Sequence, residues 1–115
     1  MSLEDRRQRP RVTVSLPLAM YGDGEDGQLL MRAHTVDMST VGALLHGSAH
    51  IEVGRRVRIE VPRGAARNPL WLTAQVVRLS TPEAGRNMHG VAVRFVDLSA
   101  LDEALLATII ADAQH

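Results

Sequence analysis

From Arg11 to Met20 apolar and polar residues alternate, with Val12, Val14, Leu16 and Leu18 set against Thr13, Ser15 and Pro17. A period of two is the mark of a strand with one buried face, so this stretch predicts a first strand. Gln28 to Val36 predicts a second, with Leu30, Arg32, His34 and Val36 on one face and Leu29, Met31, Ala33 and Thr35 on the other. Apolar residues on both faces suit a small barrel whose exterior is partly covered. After a bend at Asp37 to Thr40, Val41 to His46 makes a short third strand. Arg56 to Val61 is the clearest amphipathic strand, with Val57, Ile59 and Val61 inward and Arg56, Arg58 and Glu60 outward. Leu70 to Leu79 and His89 to Val96 supply a fifth and a sixth.

The period then changes. Ser99 is a good N-cap, Asp102 and Glu103 fall in the positively polarised first turn, and Leu101, Leu105 and Ile109 recur with Leu106 and Ile110 at helical spacing. Six short strands joined by hairpin-length turns, then one helix, predict an all-β fold. It is a six-stranded antiparallel β-barrel with a C-terminal α-helix at about 100–113 docked on it. Residues 1–11 read as a flexible N-terminal arginine arm and 12–115 as barrel and helix, with no repeat and no second domain. The acidic turn Gly22 to Gly27 invites a calcium reading. Its carboxylates are out of step with a calcium loop, and Ala33 stands where the bidentate glutamate belongs, so a solvated hairpin loop is favoured.

Composition narrows the function classes. The chain has 115 residues, 45% of them apolar, and a mean hydropathy near zero, which fits one folded domain. No apolar run approaches the roughly 20 residues of a membrane helix. Charges stand where a signal peptide has its apolar segment, and there is no cysteine, which fits the reducing cytoplasm. Thirteen basic residues balance thirteen acidic ones, which argues against a general binder of DNA or RNA. Only Tyr21, Trp71 and Phe95 are aromatic, too few for a single-strand stacking platform. His34, His46, His50 and His89 lack a metal-ligand spacing, and Ser39 lacks a nucleophile's context, so neither a metal site nor an enzyme is expected.

Every basic residue is arginine, whose flat fork bonds phosphate or a guanine edge in pairs and stacks on a base. Four of them crowd the arm at Arg6, Arg7, Arg9 and Arg11. Arg7 and Arg11 lie on one side of an extended chain about 13 Å apart, which suits a ligand with more than one anionic or guanine group. Later, Asp37-x-Ser39-x-x-Gly42 sets a carboxylate beside a hydroxyl if the segment is extended. A carboxylate can accept from both the N1 and N2 donors of guanine. Gly42 lets the backbone turn or a flat group approach. An Asx or Ser turn that satisfies local backbone accounts for the same residues without a ligand.

Arg7-x-x-x-Arg11 followed by Asp37-x-Ser39-x-x-Gly42 resembles the two-part signature of PilZ domains, bacterial receptors for cyclic di-GMP. The likeness spans nearly the whole chain, including the Asp37 to Ala43 bend and the Gly90 to Phe95 strand that leads into the helix. Each short motif is weakly specific; both in this order on an all-β pattern are strongly so. The resemblance implies a PilZ-like barrel, no catalysis and no cofactor. In it Arg7 and Arg11 contact guanine edges and phosphates, and Asp37, Ser39 and Gly42 bind a guanine and shape the bend. Arg6, just before the first motif arginine, resembles the version that accepts an intercalated dimer of cyclic di-GMP. The expected function is therefore a non-enzymatic receptor in the bacterial cytoplasm. It relays the nucleotide to an unidentified protein effector in trans or through a homodimer. The alternative is a protein-interaction adaptor of the same fold that does not bind the nucleotide.

Overall fold

The computed structural model describes residues 11–24, 27–64, 67–80 and 88–114. Most of the arm, with Arg6 and Arg7, lies outside them, as does the segment 81–87. Seven strands and a helix follow in order: β1 (Val12–Thr13), β2 (Pro17–Gly22), β3 (Leu29–Met38), β4 (Gly42–Gly47), β5 (Arg56–Val61), β6 (Leu70–Ser80), β7 (His89–Val96) and α1 (Ala100–Ala113). All pairings are antiparallel. The strands run β3-β2-β5-β6-β7-β4, and β4 returns to β3, so six of them close a barrel with β1 as an extra strand. This antiparallel order gathers the C-terminal ends of β3, β5 and β7 and the N-terminal ends of β2, β4 and β6 at one end of the barrel. There the arm joins and the 39–41 bend turns.

The first strand is broken in two, where alternation alone predicts one. β1 and β2 lie end to end on the same edge of β3, and the gap between them is filled by a side chain. Thr35 Oγ1, buried in β3, donates to the Val14 carbonyl and accepts from the Leu16 amide at 2.8 Å. Thr35 N donates to Leu16 O at 3.0 Å. The hydroxyl thus stands in for ladder bonds just before Pro17, which has no N–H to give. Thr35→Val keeps the shape and orphans both backbone groups. It is expected to cost about 1–3 kcal/mol and to lower the melting temperature by at least about 4 °C in a thermal unfolding scan.

Inward residues fill the barrel as their alternation requires. In β5, Val57, Ile59 and Val61 are buried while Arg56 and Arg58 are exposed. Leu70, Leu72, Ala74 and Val76 do the same in β6 until a bulge makes Val77 an extra residue, so that Arg78 is exposed as well and Leu79 turns toward the core. Ser99 Oγ accepts from Asp102 N at 3.0 Å and starts α1. The helix seats Leu106 and Ile110 in the barrel's own core, with Leu105 and Ile109 partly buried beside them. Leu101 stays exposed, because the 101–105–109 line is the rim of the stripe and the 106–110 line its centre. Among the described residues no helix is long and apolar enough to cross a membrane.

Candidate functional site

Two-residue β1 decides where the arm meets the barrel. Its register sets Val12 opposite Met38 and Thr13 opposite Asp37, so Arg11 arrives alongside Asp37. Arg11 Nη1 stands 3.0 Å from Asp37 Oδ1 across 26 residues of sequence. The two side chains are 55% and 28% exposed. A solvent-facing pair of this kind contributes less than about 1 kcal/mol, so it holds the groups together yet opens readily for a better partner.

A bulge aims the carboxylate. In the β3–β4 ladder Thr35 pairs with Leu45 and Asp37 with Leu44, which leaves Val36 as an extra residue. Without that insertion Asp37 would share the inward face of buried Thr35; with it, Met38 turns inward and Asp37 outward. Strict alternation along the sequence hides this switch.

Beyond Met38 the chain stops being extended, and the rule that residues i and i+2 share a face lapses. Ser39 is only 3% exposed and does not stand beside Asp37 on the surface. Its Oγ accepts from Val41 N at 3.1 Å and from Gly42 N at 3.4 Å, while Ser39 N donates to Gly42 O at 2.9 Å. The serine therefore ties the bend, the local role that an ST turn provides. Gly42 has a related duty. A Cβ there would sit well under 3.0 Å from the Val93 carbonyl oxygen and 3.4 Å from Arg94 Cα, so the close approach that demands glycine is that of β7.

One further cation joins this surface through register. Arg94 pairs with Gly42 on the outer face, and its Nη2 donates to Gln75 Oε1 at 3.1 Å. It lies two strands from Asp37, about 12 Å away at ordinary strand spacings. Arg11 and Arg94 thus flank Asp37 and Gly42 from opposite sides. Arg56 is differently placed, held by Asp23 at 3.2 Å and Asp97 at 2.6 Å. Nothing in the spacing of the sequence distinguishes Arg94 from Arg56; only the ladder does. Among the described residues no group of three or more His, Asp or Glu is placed to hold a metal ion, and His34 meets His46 edge to face at 5.8 Å. What the surface can do is grip a planar donor group at a carboxylate while guanidinium groups on either side hold anionic oxygens.

The PilZ domain family model matches residues 5–112 of the chain. No curated protein matches. Among solved structures, the PilZ domain of Escherichia coli YcgR, determined with c-di-GMP, is 22% identical with a TM-score of 0.69, covering 93% of this chain and 92% of that one. The Bacillus subtilis inhibitor of motility MotI/DgrA is 16% identical with a TM-score of 0.69, and the match covers 95% of this chain and 51% of that one. The PilZ domain of CeSA from a cellulose-synthesizing bacterium is 20% identical with a TM-score of 0.61, covering 93% and 100%.

Proposed function

This chain belongs to the PilZ domain family, and from that premise we propose that it is a non-enzymatic receptor for cyclic di-GMP. The observation that carries the reading is the 3.0 Å contact between Arg11 and Asp37, which brings one residue from each half of the sequence signature together on an accessible surface. The YcgR domain solved with c-di-GMP supports it from outside the chain.

On this reading a guanine edge donates its N1 and N2 hydrogens to the Asp37 carboxylate, and Arg11 leaves that carboxylate for phosphate or for the acceptor edge of the base. Ser39 and Gly42 keep the bend that offers Asp37. Arg7 adds a second guanidinium from the arm, and Arg6 stacks on a base of a second, intercalated ligand molecule. Binding orders the arm, and the newly ordered surface is what an effector in trans reads.

Calorimetric titration of variants tests the assignment. Arg7→Ala and Asp37→Ala each remove charge-assisted bonds of roughly 1.5–3 kcal/mol, so each is expected to weaken binding about 10- to 150-fold. Wild-type affinity in both would place the ligand elsewhere. Arg6→Ala is expected to lower the stoichiometry from two ligands per chain to one. A protein-interaction adaptor is the second reading, favoured by the likeness to an inhibitor of motility. A partner held with the same affinity with and without the nucleotide would decide for it.

A further inference from the structure

Across the barrel from Arg11, Asp37 and Gly42, the outer face of β2, β5 and β6 carries a cluster that the nucleotide site does not use. The Tyr21 and Trp71 rings lie 5.3 Å apart, tilted by 52°, and the Arg58 guanidinium sits 5.0 Å from the centre of the Trp71 ring. Trp71 is 38% exposed despite its size. Neither Arg58 nor Glu60, two residues along the same strand face, has an ion-pair partner among the described residues. Trp, Tyr and Arg are the residues on which protein interfaces concentrate their binding energy.

The ladder arranges these groups on a grid of two rows. Tyr21, Arg58 and Thr73 stand side by side in one; Ala19, Glu60 and Trp71 stand side by side in the other. β5 and β6 thus each offer one member of a complementary pair in each row: plus and minus on β5, small and large on β6. Ala19 forms a floor between bulkier neighbours and is itself buried.

We propose that this face is the contact between two copies of the chain, related by a two-fold axis. The axis lies in the interface, across the strands over the register row Met20, Ile59 and Leu72. Rotation about it exchanges the two rows. Arg58 then meets the second copy's Glu60, and Trp71 covers the second copy's Thr73, each contact made twice. Rotation about an axis along the strands would instead set Arg58 against Arg58, so the charges select one of the two arrangements. An isologous contact needs such self-complementarity, and an isolated pair of unmatched charges gives no reason for it. Three strands by two rows make only the centre of an interface, well short of the roughly 800 Å² per partner of a standard one, so the copies exchange in the micromolar range.

Sedimentation equilibrium over protein concentrations from about 1 μM to about 1 mM tests this. Wild type is expected to pass from monomer to dimer. Arg58→Glu and Glu60→Arg each bring like charges together and are expected to weaken the dimer at least tenfold. The double variant Arg58→Glu/Glu60→Arg restores opposite charges in every pair and is expected to return to within about threefold of wild type. Circular dichroism of each variant checks that the fold is kept. A wild type that stays monomeric up to about 1 mM overturns the proposal, as does a dimer that both single reversals leave unchanged or that the double reversal fails to restore. Nucleotide titrations of the same variants are expected to match wild type, since no residue changed belongs to the nucleotide site; the interface and the receptor reading therefore fail separately.

Discussion

Arg11→Glu is expected to weaken cyclic di-GMP binding by about a thousandfold, past the range of an ordinary calorimetric titration, while leaving the fold intact. Two effects add. The guanidinium that would move onto the ligand is lost, at roughly 1.5–3 kcal/mol. A carboxylate then takes its place beside Asp37 and against the ligand's phosphates, where like charges at about 4 Å repel by up to about 4 kcal/mol, less the screening that an exposed site allows. The stability cost is small, because the Arg11–Asp37 pair is exposed and contributes less than about 1 kcal/mol. The double variant Arg11→Glu/Asp37→Arg separates ligand binding from structural pairing. It rebuilds an ion pair across the same two strands, yet it offers no carboxylate where guanine needs one, so its melting temperature is expected to recover and its affinity is not.

Gly42→Val is expected to produce the largest loss of stability among changes near the site. The atom in its way is the Val93 carbonyl oxygen, part of the β7 backbone that pairs with β4 through the whole strand. Backbone cannot rotate aside as a side chain can. Overpacking of this kind costs about 1–3 kcal/mol and more where nothing yields, so a fall of roughly 10 °C in a thermal unfolding scan is expected. Binding is expected to fall with it, because Gly42 O and N both bond to Ser39 in the bend next to Asp37. Gly47→Ala is the control. There the nearest atoms belong to the Met31 thioether, a flexible end that can move, so a smaller loss is expected.

Much of this architecture is legible in the sequence because the hydrophobic pattern and the barrel ask for the same residues. β5 and β7 follow their alternation without interruption, and Ser99 caps the helix that the change of period announces. Reading fails where a backbone irregularity shifts parity. Thr35 hides the break between β1 and β2, because only a neighbouring strand reveals that its hydroxyl replaces ladder bonds. The bulge at Val36 reverses the face of Asp37, and the bend after Met38 turns Ser39 into the interior. Asp37, Ser39 and Gly42 do come together as one local unit, with Arg11 beside it, while Arg6 and Arg7 lie outside the described residues. Arg94 enters that surface through a cross-strand register that no local spacing encodes.

The sharpest test of the receptor reading is a calorimetric titration of cyclic di-GMP into the wild-type chain near physiological salt. Binding at micromolar concentration or tighter, with a fitted stoichiometry of two ligand molecules per chain, is the result the Arg11–Asp37 clamp and its arginine arm predict. No binding at about 100 μM ligand would contradict it.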